Sequence, residues 1–495
     1  MSKIKFGTDG WRAVISDDFT FENVKIVAQA MADYVRSQKS EDRRQKAEDR
    51  RQKTEGRRQK SALYGRKFEI VIGYDTRFMS EKYAELIACV LAGNGIRAIL
   101  ASRPTPTPSV SFNIKKRRLL GGIMVTASHN PAYYNGIKYK GHFGGSAGKE
   151  ITDKMEARLY KSRVRFMEKK EAVKKKLLLV EDIIPIHLKH IFKYADMRIL
   201  KKAHLNVLVD SMNGTGAFFI EELLRGTNNK VTTINGSRDP YFGGNSPEPN
   251  EVHLASTGKM IKKGNFTIGL ATDGDADRLG VILPNGKVIS GHKVMTLLFL
   301  HLLEGRRMKG GVVQTICGTA LIDKIARAYA IKTYETAVGF KYIAEIMNKK
   351  DILVGGEETG GVALKGWLPE RDGLLSGLLI LEMIACRKKS LEKILQTIDK
   401  KYGSYVYKRY DLKLSVNKKK LLMAFLKQGT IKEALGKKIV NTKSYDGFKF
   451  IRQDGSWFML RPSGTEPKLR IYSEGKSEKE AEALIAFGRK IAGKI

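Results

Sequence analysis

The chain has 495 residues, and its 90 Lys and Arg against 52 Asp and Glu give a formal net charge of +38. Hydrophobic residues make up 42% and there are only 48 Gly and 12 Pro, so large cores can be buried and a disordered, collagen-like or fibrous chain is excluded. The basic balance raises a polyanionic partner, since clustered Lys and Arg displace counterions from phosphate backbones, while the length suggests three or four domains at roughly 100 to 200 residues each.

In chain order, the first feature is a Gly-rich loop ending in arginine, Phe6-Gly7-Thr8-Asp9-Gly10-Trp11-Arg12. A helical pattern begins near Phe21. Residues 41–61 then hold three copies of a seven-residue unit, from Glu41-Asp42-Arg43-Arg44-Gln45-Lys46-Ala47 onward. The unit has heptad length but no apolar position, so it has nothing to bury in a coiled-coil seam. A solvated extension of the helix or a mobile charged insert is expected, in preference to a nucleic-acid arm. With nine basic and five acidic residues, the insert does not account for the +38.

Residues 69–75 read as a buried strand ending in a Gly/Asp loop, 80–94 as a helix, and 95–100 and 121–126 as further strands. Strands alternating with helices imply parallel α/β layers. Thr126-Ala127-Ser128-His129-Asn130-Pro131 follows the last of these strands, where a serine on a tight loop can present its hydroxyl as a nucleophile or phosphate carrier, or be an ordinary turn. Lys138, downstream, is a candidate for proton exchange only if its surroundings lower its pKa.

Residues 161–176 are basic and weakly apolar and read as a linker. A second unit starts with the strand 205–210, and its strand 267–272 runs into Asp273-Gly274-Asp275-Ala276-Asp277-Arg278. Three carboxylates at alternate positions of an extended loop can converge on one hard cation. An EF-hand is ruled out, because its sixth and twelfth positions would be Arg278 and Pro284 rather than Gly and Glu. A solvated acidic turn is the bland alternative. The position at the C-terminal end of a strand, where α/β ligand sites lie, favours Mg²⁺, and Arg278 beside it suits a phosphate.

A third unit begins at residues 311–315 and contains a strand at 351–355. Gly356-Glu357-Glu358-Thr359-Gly360-Gly361 follows that strand, offering carboxylates and a hydroxyl to sugar hydroxyls. The apolar run 374–386 carries Glu382 and is too short to span a membrane, so it reads as a buried helix. After Tyr402 the pattern changes to a strand, a helix, a meander with Asp454-Gly455 as a hairpin turn, and a terminal helix from Ser477. Within it, Arg461-Pro462-Ser463-Gly464-Thr465-Glu466-Pro467 forms an anion cradle or a structural turn.

Other chemistry is absent. Gly148-Lys149 lacks the earlier Gly and the following Ser or Thr of a Walker A loop, and there is no His-Glu-x-x-His. Cys89, Cys317 and Cys386 are far apart and unpaired in any Cys-x-x-Cys motif, which argues against disulfide or zinc frameworks and for a cytoplasmic protein. No membrane span or secretion signal is expected.

Taken together and in order, the Ser-His-Asn-Pro, Asp-Gly-Asp-Ala-Asp-Arg, Gly-Glu-Glu-Thr-Gly and Arg-Pro-Ser-Gly-Thr-Glu-Pro loops resemble those of the α-D-phosphohexomutase family, which includes phosphoglucomutases, phosphomannomutases and phosphoglucosamine mutases. The resemblance implies an α/β fold of three similar domains with mixed sheets and a smaller C-terminal α+β domain around a central cleft. The boundaries expected are 1–165, 166–290, 291–403 and 404–495.

The resemblance also implies a phosphoserine at Ser128, with Asp273, Asp275, Asp277 and a Ser128 phosphate oxygen holding one Mg²⁺. Arg278 and Arg12 stabilise that phosphate, Lys138 and His129 handle hydroxyl protons, and Glu357 and Thr359 recognise the sugar. Arg461, Ser463, Gly464 and Thr465 grip the phosphate that is not transferred. The implied reaction interconverts hexose 1-phosphate and hexose 6-phosphate through a 1,6-bisphosphate, which also serves as activator. The Glu357-Glu358 pair resembles glucose-directed members, so glucose is the expected hexose, with mannose or glucosamine the alternative. Thr359 stands where serine is commoner and keeps the hydroxyl, whereas Gly361 replaces a histidine of several subgroups. A monomer or homodimer acting on a phosphosugar is expected, without a membrane partner. The competing reading from a different class is a basic nucleic-acid-binding protein on a mutase fold.

Overall fold

The structure is a computed structural model that describes residues 4–7, 10–51, 66–429, 431–463 and 468–493, with the backbone alone for Lys39 and residues 41–51. The chain divides into two compact units, Met1–Val288 with Gly361–Ala385, and Ile289–Gly360 with Cys386–Ile495.

The first unit opens with a six-stranded sheet of β1 (Trp11–Val14), β2 (Lys67–Tyr74), β3 (Arg97–Ala101), β4 (Leu119–Val125), β5 (Tyr134–Lys140) and β6 (Leu178–Glu181), in the order β1-β5-β4-β2-β3-β6. Pairing is parallel among β4, β2, β3 and β6 and antiparallel where β5 meets β4 and β1. The sheet is therefore mixed. Ile70, Val71, Ile72, Ile123, Met124 and Val125 are fully buried in its centre, as expected for short apolar runs covered on both faces. Helix Ser80–Gly93 buries Ala84, Ile87, Ala88 and Leu91 at helical spacing.

The basic stretch 161–176 packs against the first layer, and the first sheet gains one further strand after residue 165. Arg165 donates its N–H to Gln29 Oε1 at 3.0 Å and Met167 donates to the Cys89 carbonyl at 3.2 Å. The following β6 then extends the sheet beside β3. Helix Phe21–Arg51 runs through the first seven-residue copy and into the second, so that part of the insert extends the helix; the rest lies outside the described residues.

The second sheet comprises β7 (Asn206–Asp210), β8 (Lys230–Ile234), β9 (Ile268–Thr272), β10 (Leu279–Ile282) and the two-residue β11 (Val288–Ile289), in the order β11-β10-β9-β7-β8. Strands β8, β7 and β9 are parallel, and β10 turns back antiparallel on β9. The turn between β9 and β10 is the acidic loop.

In the second unit, β12 (Gly311–Thr315) lies between β13 (Thr333–Thr336) and β14 (Ile352–Gly356), all parallel. The chain returns to the first unit through β15 (Val362–Leu364) and the start of helix Gly373–Arg387. That helix is apolar almost all round because it is buried, and its Glu382 carboxylate accepts the Asp196 N–H at 2.8 Å.

The C-terminal part is antiparallel throughout. It comprises β16 (Val406–Lys413), β17 (Glu433–Ala434), β18 (Lys437–Lys443), β19 (Phe448–Arg452), β20 (Trp457–Pro462) and β21 (Lys468–Gly475), in the order β16-β21-β20-β19-β18-β17. Asp454-Gly455 turns β19 into β20, with Gly455 at φ 81°. Helix Glu478–Gly493 buries Ala481, Leu484, Gly488 and Ile491. Among the described residues, no helix is long and apolar enough to cross a membrane.

One glycine pins the N-terminal loop to the first sheet. Gly10 has φ 92°, and a Cβ there would lie 2.3 Å from the Ile137 carbonyl oxygen, a backbone atom that cannot swing aside. Gly10→Ala is expected to cost about 1 to 3 kcal/mol, the range for a strained backbone position. An equilibrium urea titration checks it, and an unchanged midpoint would contradict the close approach.

Candidate active site

The acidic loop at the end of β9 is fully buried. Asp273, Asp275 and Asp277 are each 0% exposed, and one oxygen from each lies within 4.8 Å of the others. Ala276, at φ 54°, makes the turn that brings alternate side chains to one side. Like charges this close in a low dielectric repel strongly. Burial, together with the Asp275 and Asp277 carboxylates, pushes Asp273 well up from the ordinary carboxylate range. Burial likewise raises Asp277, with Arg371 opposing. Burial acts on Asp275 too, but Lys138 and the Thr107 hydroxyl outweigh it and hold that carboxyl far down.

Cations and donors converge on this loop from several elements of the first unit. Lys138 on β5 places Nζ 2.9 Å from Asp275 Oδ2 and 3.7 Å from Asp277 Oδ2. Arg371 reaches Asp277 Oδ2 at 2.6 Å. Thr107, first residue of helix Thr107–Arg117, donates its hydroxyl to Asp275 Oδ2 at 2.6 Å and its N–H to the Asp275 carbonyl at 2.9 Å. The positive end of that helix therefore faces the loop. Asp273 Oδ1 accepts the N–H groups of Asp277 and Arg278 at 3.0 and 3.1 Å, which closes the turn.

Some polar capacity is left over. Asp275 Oδ1 and Asp277 Oδ1 are buried without a hydrogen-bond partner. Buried polar atoms are seldom left so, and hard oxygen donors in this number fit Mg²⁺, which takes one or two carboxylates plus phosphate oxygens or water. Arg278 is 6% exposed, and its Nε and Nη1 also lack hydrogen bonds, while Nε lies 3.8 Å from Asp273 Oδ2.

Ser128 meets this loop directly. Its Oγ donates to Asp273 Oδ2 at 3.0 Å and lies 3.4 Å from His129 Nδ1. The residue is buried at φ 54°, a left-handed conformation that a non-glycine residue adopts at some cost.

The group that holds this conformation is Arg77, which the motif reading missed. Its Nη2 donates to the carbonyls of Ser128 and Asn130, both at 2.6 Å, and its Nη1 to those of Pro131 and Tyr134 at 2.7 and 3.1 Å. Its Nε pairs with Asp75 Oδ2 at 3.0 Å, and Asp75 also accepts from Thr126 and Ser80. Arg77 thus satisfies four carbonyls of the serine loop from beneath. The readable signal was its place, two residues after the aspartate that ends a buried strand. Arg12 on β1 donates to Asn130 Oδ1 at 2.8 Å, which brings it to the rim of the same loop.

The structure therefore gathers Ser128, His129, Lys138, Arg12, Asp273, Asp275, Asp277 and Arg278 in the first unit, and adds Arg77, Thr107 and Arg371. Gly361 explains how Arg371 gets there. A Cβ at Gly361 would lie 2.3 Å from Arg371 Cδ, so a larger residue there would displace the arginine from its path to Asp277.

The remaining expected residues lie in the second unit. Glu357 and Glu358 are each 8% exposed, Glu358 accepts the Thr315 hydroxyl at 3.4 Å, and Thr359 Oγ1 is buried without a hydrogen-bond partner. Arg461 Nε donates to Asp446 Oδ1 at 2.9 Å, and Lys419 Nζ donates to the Ser463 carbonyl at 2.9 Å. Gly464 and Thr465 lie outside the described residues.

Three α/β layers precede an antiparallel domain, and an acidic group that could hold a metal ion lies at a strand end. Residues 56–165, 185–286 and 290–402 match alpha/beta/alpha domains I, II and III of phosphoglucomutase/phosphomannomutase, and residues 413–489 match its C-terminal domain. A phosphoglucomutase/phosphomannomutase of Thermococcus kodakarensis is 34% identical over 428 residues, covering 85% of this chain and 89% of the relative. A phosphoglucosamine mutase of Methanocaldococcus jannaschii is 31% identical over 428 residues, with 86% and 91% covered. The crystal structure of a candidate phosphomannomutase from Thermus thermophilus superposes with a TM-score of 0.83 at 30% identity, covering 99% of both chains. The chain belongs to the phosphoglucomutase/phosphomannomutase family.

Two measurements probe the site. Arg77→Met leaves Asp75 buried without its charge partner and is expected to cost about 3 to 5 kcal/mol, read from urea denaturation; a loss below experimental error would contradict the clamp. Mg²⁺ is expected to raise the melting temperature of the chelator-treated protein, since a ligand bound only by the folded state stabilises it. The same addition is expected to leave Asp273→Asn/Asp275→Asn unmoved, and an equal rise in both proteins would place the metal elsewhere.

Proposed function

We propose that this enzyme moves a phosphoryl group between O1 and O6 of a hexose monophosphate, using Ser128 as the phosphoryl carrier. The observation that carries the reading is the 3.0 Å hydrogen bond from Ser128 Oγ to Asp273 Oδ2, on a loop held left-handed against buried carboxylates with unused oxygens.

Asp273, Asp275 and Asp277, with an oxygen of phosphorylated Ser128, would hold Mg²⁺, which when bound offsets negative charge on the group in transfer. In the first half-reaction the bond between phosphorus and Ser128 Oγ breaks and a bond to the free sugar hydroxyl oxygen forms. The hydroxyl proton passes to the chain's base, for which His129 is the candidate, and returns to Ser128 Oγ, while Lys138, paired as an ammonium with Asp275, can only donate. The product is a hexose 1,6-bisphosphate, which reorients and gives its other phosphoryl group back to Ser128 by the reverse step. Arg278 and Arg12 are assigned to the phosphate on Ser128, since a guanidinium fork suits phosphate oxygens. Glu357 and Thr359 are assigned to sugar hydroxyls, and Arg461, Ser463, Gly464 and Thr465 to the phosphate that stays. A hexose 1,6-bisphosphate is the proposed activator, because it phosphorylates a serine that has lost its group.

The substrate proposal departs from the glucose expectation. The names of relatives, phosphoglucomutase/phosphomannomutase and phosphoglucosamine mutase, favour glucosamine or mannose phosphates over an enzyme restricted to glucose. Purified protein with Mg²⁺ and a trace of bisphosphate is to be assayed on glucose, mannose and glucosamine 1-phosphates. Turnover is expected on glucosamine or mannose phosphate, and Ser128→Ala is expected to abolish it. No turnover on any of the three, or full turnover in the variant, would overturn the proposal.

A further inference from the structure

Beneath the acidic loop lies a second buried polar network that the proposed chemistry does not use. His187, on helix Ile184–Tyr194, is 0% exposed and uses both ring nitrogens. Nδ1 lies 2.8 Å from Ser109 Oγ and Nε2 lies 2.7 Å from Asp372 Oδ2. A carboxylate oxygen accepts, so Nε2 carries a proton toward Asp372, and Nδ1 shares the second hydrogen bond with the Ser109 hydroxyl. The residue types are those of a hydrolytic triad, but Ser109 is fully buried in the first turn of a helix, so its hydroxyl has no substrate to attack.

What the network joins is informative. Ser109 stands two residues after Thr107, whose hydroxyl and N–H both hold Asp275. Asp372 directly follows Arg371, which pairs with Asp277. Asp372 is further fixed by the Trp367 indole at 3.0 Å and accepts the Leu375 N–H at 3.0 Å, so it also closes the start of helix Gly373–Arg387. On the other side, Asn113 donates to the carbonyls of Ser109 and Ile183, which locks helix Thr107–Arg117 onto the chain entering the His187 helix. The two outer supports of the acidic loop come from segments far apart in sequence, and His187 bridges them.

We infer that His187 is a positioning residue for the metal-binding loop, acting through Thr107 on Asp275 and through Arg371 on Asp277. It touches neither carboxylate. The inference rests on the assignment of Asp273, Asp275 and Asp277 to Mg²⁺ and adds to it a shared brace: the ring keeps the helix that carries Thr107 in register with the segment that carries Arg371. Partners outside the coordinating set commonly alter metal affinity by about 10- to 100-fold, and one placed a further step away belongs at the lower end.

The test measures Mg²⁺ binding by isothermal titration calorimetry on the full-length dephosphorylated protein, alongside melting temperature and steady-state kinetics. His187→Phe keeps a ring but loses both hydrogen bonds. It is expected to weaken Mg²⁺ binding by about tenfold and to lower kcat at subsaturating Mg²⁺, with KM for the hexose phosphate unchanged. His187→Gln retains an N–H toward Asp372, and His187→Asn retains a partner for Ser109. Each is expected to lose less affinity than His187→Phe, and these two carry the test if His187→Phe does not fold. Folded variants that bind Mg²⁺ as tightly as wild type, even with a lowered melting temperature, would reduce His187 to a packing residue and overturn the inference. Failure of the underlying assignment is distinguishable: wild type would then show no Mg²⁺ binding, or Asp275→Asn would bind as wild type does.

Discussion

Three carboxylates confined to one buried loop are the constraint around which the first unit is arranged. Unit charges 4 Å apart interact by roughly 4 kcal/mol even at an effective dielectric of 20, so the triad cannot sit in the interior without compensation. Each compensating group comes from a different element: Lys138 from the antiparallel strand β5, Thr107 from a helix N-terminus, Arg371 from the segment before helix Gly373–Arg387 and Arg278 from the loop itself. The mixed sheet serves this arrangement. Strand β5 leaves the serine loop antiparallel to β4 and sets Lys138 opposite Met124, one residue before the end of β4 from which that loop emerges. The unequal titration of the three groups follows from unequal access to those cations. Asp275 lies against Lys138, whereas Asp273 has burial and two like charges against it, opposed by the more distant Arg278 guanidinium and the Arg278 N–H.

A second constraint sits at the serine loop. A left-handed serine persists only where its surroundings determine it, and Arg77 provides that by binding four carbonyls of the loop while its own charge is met by Asp75. Ser128 is therefore fixed through its backbone rather than its side chain, which leaves the hydroxyl directed to Asp273. Rigid placement of a reacting oxygen is the main contribution a protein makes to phosphoryl transfer, where positioning and charge stabilisation outweigh covalent chemistry.

Much of this was legible from local pattern. The apolar runs that became β2, β4, β7, β9, β12 and β14, the buried helix holding Glu382 and the Asp454-Gly455 turn all follow from short-range periodicity and turn chemistry. The acidic triad and Ser128 stood out because each directly follows such a run. Groups that act over long sequence separations did not stand out. Arg77 serves carbonyls more than 50 residues away, Thr107 and Asp275 are 168 apart, and His187 and Asp372 are 185 apart. One Arg among 90 Lys and Arg, or one of 8 His, carries no local mark of such a role. Strand β6 was hidden for another reason: Leu178–Glu181 is short and mostly exposed at the sheet edge, in a stretch whose charge resembles that of a linker. Arg77, Lys138, Lys140 and Arg371 are each buried against a carboxylate, so these pairs cancel and the net +38 lies with other residues.

The central claim is that the phosphoryl group resides on Ser128 between sugars. A single-turnover experiment tests it most directly: enzyme carrying a radiolabelled phosphoryl group is mixed with unlabelled hexose 6-phosphate and Mg²⁺, and the label is followed in protein and sugar fractions. Label leaving Ser128 and appearing in hexose 1,6-bisphosphate before hexose monophosphate is the result the account requires. Label that stays on the protein while the sugar turns over, or leaves only as inorganic phosphate, would contradict it.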